Sequence, residues 1–315
     1  MSKNRKFFTF IVVIMSAALS LFAQGPAGDT LIVNNNPLIL HYNFVPKDTL
    51  IYRIVSFDSI IVDYGNALLK NRFEKIRIIC DSIGSNDNYY LRQKFTDFFS
   101  YESSGDSKGV EHNTTSWLGR EVWFEVDSLG NRFNWGYLND TSLAALCPGG
   151  AFQPHLIFPI QKSTIEKKKS WLVSSLDALP ENGNPAVALK QNSLFRAMGI
   201  VDTLNDVSSR IEYVKTGQGS YKVADESDSI KVTSIINGYG VLDISMTKHI
   251  PLHYTATIEE KLTMTFKNNI TKQATHLTNS FFTLEDIRTY VAPKVIKPLP
   301  KKPVLKKYGK KAKTK

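Results

Sequence analysis

From Leu38 onward, apolar and polar residues alternate along most of the chain, the pattern of strands with one buried and one solvated face. The clearest run is 254–266, where apolar residues occupy one face and Thr, Lys and Glu occupy the other. Glu260 is the one residue that breaks the apolar face. At ~3.3 Å per residue this run would exceed ~40 Å, so we expect the strand to curve or to carry a bulge at Glu260.

Turn-forming residues separate the predicted strands from one another. The same alternation recurs in shorter runs at 38–44, 76–80, 122–126 and 242–246. Helical signals are scarce: Asp140 or Thr141 could cap a short helix through Leu146, and a second helix could lie within 164–179. The sequence therefore predicts a mainly β fold, a long curved antiparallel sheet that forms a half-barrel or an open sandwich, with one or two short helices.

The predicted strands fall into two halves, 38–135 and 193–290, which flank an irregular connector at 136–192 that is rich in proline between 148 and 185. The halves form either one continuous sheet or two packed sheets. With the residues that precede them, they make up a single body at 24–290, a length that suits one all-β unit.

The first 23 residues have the three parts of a secretory signal peptide. Lys3, Arg5 and Lys6 form a positive start, and an apolar stretch of small and large residues runs from 7 to 22. Ala23 then provides a small residue at the cut, which leaves Gln24 as the new first residue. A retained membrane anchor is the alternative, but the apolar stretch is shorter than the ~20 residues of a spanning helix. We therefore expect an exported protein, periplasmic or at the cell surface.

The net charge of +10 is unevenly distributed along the chain. Residues 291–315 contain ten Lys and no acid, whereas the body 24–290 has 26 basic and 29 acidic residues. This balance argues against a nucleic-acid-binding body. The tail is rich in Lys and Pro, so we expect it to be disordered and extended. The tail residues expected to contact an anionic surface or an acidic protein are Lys301, Lys302, Lys306, Lys307, Lys310 and Lys311.

The two cysteines, Cys80 and Cys147, allow two interpretations. Export permits a disulfide between them, which would stabilise the fold by roughly 4 kcal/mol in the chain-entropy model. Alternatively both are buried free thiols, which the position of Cys80 on an apolar strand face favours slightly.

The sequence matches to catalytic and metal-binding motifs lack the neighbouring structure that those motifs require. The G-x-S-x-G match at 105–109 lies in a polar hairpin tip and lacks the strand and helix of a nucleophile elbow. His249 and His253 could share one face, but no carboxylate or Cys at a suitable spacing completes a metal site. We therefore predict no catalytic residues, no metal and no cofactor.

Three stretches carry a resemblance to a known group. They are Leu40-His41-Tyr42-Asn43-Phe44 followed by Lys47-Asp48, Phe158-Pro159 followed by Ser170-Trp171, and Gly238-Tyr239-Gly240. The chain resembles uncharacterised exported β-rich proteins of Bacteroidota-type bacteria. It departs from them at Lys47, where they have Gly, and at Lys168-Lys169, where they have Gly-Asp. The resemblance implies an envelope β-protein and no particular reaction. A more distant likeness, at the level of the fold, is to the half-barrels of lipoprotein carriers.

Three functions fit these observations. The first is a non-enzymatic envelope protein whose curved β-body binds a lipid or another apolar ligand, while the tail contacts an anionic membrane surface. The second is a structural or adaptor protein that captures an acidic protein partner. The third, which the sequence favours least, is a secreted hydrolase whose active residues come from scattered positions.

Overall fold

A computed structural model describes residues 37–105, 109–115, 118–137, 156–160, 164–181, 184–224 and 229–290. The expected signal peptide at 1–23, the tail 291–315, Cys147 and the predicted helix ending at Leu146 all lie outside these residues. The expectations for those segments therefore stay predictions.

The described residues form fourteen strands and no helix, so they offer no helical membrane span. The strands are β1 (Leu38–Ile39), β2 (Thr49–Val62), β3 (Leu68–Ile83), β4 (Tyr89–Ser104), β5 (Val110–His112), β6 (Glu121–Val126), β7 (Arg132–Tyr137), β8 (Thr164–Ile165), β9 (Ser170–Glu181), β10 (Asn184–Thr203), β11 (Asp206–Ala224), β12 (Ser229–Ser245), β13 (Pro251–Thr265) and β14 (Thr271–Arg288).

Twelve of the strands make one sheet, in the order β7-β6-β4-β3-β2-β14-β13-β12-β11-β10-β9, with β5 added beside part of β4. Every neighbouring pair is antiparallel. The predicted halves therefore join in one continuous sheet, and β2–β14 is the pair that joins them. In the described part of the chain no ladder links β7 to β9, so the sheet stays open. The mainly β, antiparallel fold is confirmed.

The helix expected within 164–179 is wrong, because this segment contains β8 and the first part of β9. Trp171 is buried, whereas the side chains of Leu172 and Leu176 are 64% and 68% exposed. Such alternation has the period of a strand and leaves two leucines on the outer face. The segment 136–192, expected to be irregular, thus contains the end of β7, all of β8 and β9, and the start of β10.

The predicted long strand exists as β13, but it has no bulge at Glu260. Pairing with β12 and with β14 runs through Glu260 without a register shift. The glutamate instead faces the same side as its apolar neighbours and finds a cationic partner there, described below. The charge of Glu260 on the buried face is therefore explained by an ion pair with a neighbouring strand, and the strand itself is uninterrupted.

One face of the sheet, here called the inner face, is covered by short segments of chain at 38–44 and 156–160 together with β8. These segments supply buried residues to a single core, among them Leu40, Tyr42 and Phe158. Tyr42 accepts a hydrogen bond at its hydroxyl from the Phe158 backbone N–H at 3.1 Å, which ties the two segments together. Tyr52 of β2 donates to the Pro251 carbonyl at 2.8 Å beneath them. The core therefore lies between the sheet and the covering segments.

Both departures from the resembled group lie in left-handed backbone. Lys47 has φ 72° and Lys168 has φ 67°. Glycine adopts this conformation without the steric penalty that a Cβ brings. Lys47 and Lys168 therefore carry a steric cost that glycine would avoid at these positions.

Candidate functional site

A row of charged side chains crosses the inner face of the sheet from β3 to β11. The antiparallel register places Glu260 of β13 opposite His276 of β14 and places Thr278 of β14 opposite Asp58 of β2. The members of this charged row, in spatial order, are Glu74, Arg72, Asp58, His276, Glu260 and Lys215.

Close contacts connect the first members of the row. The Arg72 guanidinium donates to both oxygens of Asp58, at 2.6 and 3.2 Å, and to Glu74 at 3.2 Å. The His276 Nε2 atom lies 3.0 Å from Asp58 Oδ1, and its Nδ1 atom lies 3.6 Å from Glu260 Oε2. Signs of charge alternate along the row, so each charge from Glu74 to Glu260 has an opposite charge within 3.6 Å, which offsets the penalty of desolvation.

The pKa values follow from these contacts. Burial alone would raise the pKa of Asp58, but the hydrogen bond from His276 and the charge of Arg72 hold it well below its usual value. Burial would lower the pKa of His276, but hydrogen bonds to Asp58 and Glu260 raise it to about 9. His276 is therefore a cation at neutral pH.

Glu260, His276 and the neighbouring Thr278 follow the acid, histidine and hydroxyl order of a catalytic triad. Thr278 Oγ1 lies 2.8 Å from His276 Nε2. A catalytic histidine must accept the proton of the nucleophile, and for that it must be neutral. His276 is protonated at neutral pH, and the Thr278 hydroxyl donates to Asp58 at 2.8 Å. These contacts describe a structural ion network and give Thr278 no base.

Lys215 ends the row and lies beside Gly238 of the neighbouring strand, and Tyr213 lies beside Gly240. A Cβ on Gly238 would approach the Lys215 Cε atom to 3.2 Å, and one on Gly240 would approach the Tyr213 hydroxyl oxygen to 2.7 Å. The Gly-x-Gly stretch of β12 thus lets two long side chains of β11 lie flat on the inner face. This packing gives the motif a structural reason that sequence reasoning alone did not reach.

Lys215 lines a small pocket of about 90 Å³ between the sheet and the covering segment 156–160, here called the lysine pocket. Tyr213 and Tyr254 form part of its wall, and their hydroxyls are 2.8 Å apart. Phe158 packs on Tyr254 with ring centroids 5.1 Å apart. The remaining lining residues are Gly130, Arg132, Ile157, Pro159, Val173, Ser175, Gln191, Ser193 and Phe195.

A larger cavity of about 490 Å³, here called the apolar pocket, opens near the start of β2 and the end of β14. Four buried apolar side chains lie in it: Phe44, Leu50, Ile78 and Ile250. Val45, which is 52% exposed, also lines it. The further lining residues are Asn43, Asp48, Cys80, Thr247, Lys248, Ile287 and Thr289. Aliphatic and aromatic groups therefore dominate this cavity, with polar groups among them.

A third depression, of about 690 Å³, lies mainly among outward-facing side chains of β10 to β13. Arg196, Glu212 and Thr257 supply charged and polar groups to it, and Tyr239 stands 59% exposed beside them. This surface is the wetter side of the sheet, so we assign no ligand to it.

The structure places the predicted residues apart from the charged row. Cys80 is buried in the apolar pocket and has no disulfide partner among the described residues, and burial raises the pKa of its thiol to about 11. Its pairing with Cys147 stays a prediction because Cys147 is not described. His249 lies in the turn before β13 and stacks on His41, with ring centroids 3.8 Å apart. Among the described residues, no three His, Cys, Asp or Glu side chains are arranged so that they could hold a metal ion.

Sequence reasoning missed most of the charged row. The one visible signal was Glu260, a charge on an otherwise apolar strand face. Asp58, Arg72 and His276 carry the same signal, since each interrupts an alternating run of a strand that pairs nearby. A search for charges of opposite sign on the inner faces of predicted strands would have found them.

Comparisons with known proteins add a loose likeness in fold. No protein-family model matches this chain, and no curated protein matches it. Among solved structures the chain is similar to a lipovitellin chain, from a structure concerned with lipid–protein interactions in lipovitellin, with a TM-score of 0.46 and 12% identity. The alignment covers 80% of this chain and 26% of the lipovitellin chain, so this chain spans about a quarter of that protein.

Proposed function

We propose that this chain is a non-enzymatic, exported envelope protein that binds an apolar ligand, such as one acyl chain, in the apolar pocket. The observation that carries the proposal is the cavity of about 490 Å³ with Phe44, Leu50, Ile78 and Ile250 among its lining residues. Ligand sites of proteins have roughly 300–1,000 Å³ and mostly apolar walls with a few polar groups.

The energetics support an acyl chain as the occupant. Each methylene transferred from water contributes about 0.8 kcal/mol, so ten of them contribute about 8 kcal/mol before the cost of immobilising the chain. Val45 is more than half exposed, and Lys248 also lines the pocket, so a polar headgroup could stay in water there. An apolar chain can therefore enter without burying its polar end.

A neutral apolar dye, N-phenyl-1-naphthylamine, tests this proposal by its fluorescence. We expect the wild type to bind the dye and Val45→Trp to bind it at least tenfold more weakly, because the larger side chain fills the pocket. Leu172→Trp, on the outer face of β9, is the matched control and should bind like the wild type. Equal binding by Val45→Trp, or no binding by the wild type, would contradict the proposal.

Native mass spectrometry of the gently purified protein gives a second readout. A co-purified lipid supports ligand binding in the β-body. A lipid-free body that carries a stoichiometric acidic protein contradicts it and favours an adaptor function instead.

In the proposed arrangement the lysine-rich tail attaches the β-body to an anionic membrane surface. Each Lys near such a surface contributes up to ~1 kcal/mol, and the attraction weakens as salt increases. Deletion of 291–315 should abolish salt-sensitive binding to vesicles that contain phosphatidylglycerol. Vesicles of pure phosphatidylcholine serve as the uncharged control. Equal binding by the full and shortened chains to the anionic vesicles would refute the tether.

A further inference from the structure

The lysine pocket has a different chemistry from the apolar pocket, and the two share no lining residue. We propose that the lysine pocket is a second binding site, which takes a carboxylate on a short apolar or aromatic stem, with Lys215 as the residue that binds the anion. The proposal is independent of the ligand suggested for the apolar pocket.

The first support is the electrostatic position of Lys215. Every other cation of the charged row contacts a carboxylate within 3.6 Å. In the described part of the chain, no carboxylate lies within 4.0 Å of the Lys215 ammonium, and Glu260 acts on it only from a greater distance. Burial lowers its pKa to about 8, the direction expected of a lysine that lacks a close counter-ion. An anion in the pocket would supply that missing contact.

The second support is the composition of the pocket wall. Phe158, Phe195 and Tyr254 give it an aromatic side, whereas Ser193 and Gln191 lie beside Lys215 on the polar side. Buried charges are stable when they are both paired and hydrogen-bonded, and these hydroxyl and amide groups can donate to a carboxylate that Lys215 binds. A molecule with an anionic head and an apolar stem matches both sides.

The third support is the room made for Lys215. Gly238 faces the inner side, where a Cβ would come to 3.2 Å of Lys215 Cε and to 3.0 Å of the Thr257 carbonyl oxygen. The strand thus keeps space for the lysine stem to lie flat beside the aromatic wall. A cavity of about 90 Å³ accepts a carboxylate and its first methylenes.

Hexanoate and 1-hexanol are the probes, because they share a stem and differ in charge. We expect NMR titration to show hexanoate binding at least tenfold more tightly than hexanol. Lys215→Met keeps the length of the side chain and removes the charge, so it should abolish this difference. Lys190→Met, on the outer face of β10, is the matched control and should retain it.

Two further measurements keep the test decisive. If Lys215→Met does not fold, the wild type can be labelled with ¹³C at lysine Cε, and Lys215→Arg assigns the Lys215 signal. The chemical shift of that signal should change when hexanoate is added and should stay the same when hexanol is added. Val45→Trp separates the two pockets, since it should lose the dye and keep hexanoate. Equal affinity for hexanoate and hexanol, equal hexanoate binding by Lys215→Met, or an unmoved Lys215 signal would overturn the proposal.

Discussion

His276 makes the stability of the fold depend on pH in a way that can be measured directly. Its imidazole lies between Asp58 and Glu260, and these carboxylates raise its pKa from 6.5 to about 9. A pKa difference between the folded and unfolded chains is a contribution to the free energy of unfolding. At roughly 1.4 kcal/mol per pKa unit, protonated His276 contributes about 3 kcal/mol.

The sign follows from the direction of the change. Because the pKa is raised in the folded chain, the contribution is fully present below about pH 6.5, the value in the unfolded chain. It declines above that pH and is lost as the pH rises through about 9. Other groups titrate in the same range, so the difference between wild type and His276→Gln isolates this contribution.

Urea unfolding at a series of pH values is the assay. The wild type should be more stable than His276→Gln by about 3 kcal/mol near pH 6, and the difference should approach zero near pH 10. His112→Gln, which replaces a histidine whose side chain is 44% exposed, is the matched control and should change the free energy of unfolding near pH 6 by less than about 1 kcal/mol. If the difference for His276→Gln is constant from pH 6 to pH 10, the imidazole is not held as a cation by these carboxylates.

The packed core and the glycines of β12 give three further predictions. Gly240→Ala should lower the free energy of unfolding by about 2 kcal/mol in urea titration, because its Cβ would overlap the Thr255 carbonyl oxygen; no loss would contradict this packing. Tyr52→Phe should cost about 1–2 kcal/mol by the same assay, since the buried carbonyl of Pro251 loses its donor; a neutral effect would mean that water replaces it. In the reduced protein at neutral pH, Cys80 should react with iodoacetamide about 100-fold more slowly when folded than in urea, because its pKa of about 11 suppresses the thiolate; equal rates by mass spectrometry would place the thiol in solvent.

The fold class could be predicted because the alternation of the strands is a local signal. The runs at 76–80, 122–126, 242–246 and 254–266 correspond to parts of β3, β6, β12 and β13. The run at 38–44 is an exception, because only Leu38 and Ile39 form a strand and the rest covers the inner face. The choice between one sheet and two could not be made, since it depends on β2 pairing with β14, which lie more than 200 residues apart. No local pattern encodes such a pairing.

The failures have equally physical causes. The run of charged and small residues at 164–170 has a composition that suits a helix. The segment that follows forms a strand instead, because Trp171 is buried against the stacked ring of Phe195. The charged row could not be predicted from single residues. Asp58 and His276 form an ion pair only because the register of β2 and β14 brings His276 Nε2 to 3.0 Å from Asp58 Oδ1. Pockets depend on the segments that cover the sheet, and the alternation at 38–44 does not reveal that most of this run lies on the sheet and not within it.

The position of β14 between β2 and β13 has a consequence for how the chain folds. Until residues 271–288 are in place, the described strands of the sheet form two separate groups. One group has β2 as an unpaired edge, and the other has β13 as an unpaired edge. Pairing of distant strands has a high loop-closure entropy and is slow. The sheet therefore stays incomplete until β14, the last of the described strands, is available. During that time the open edges of β2 and β13 are exposed to aggregation.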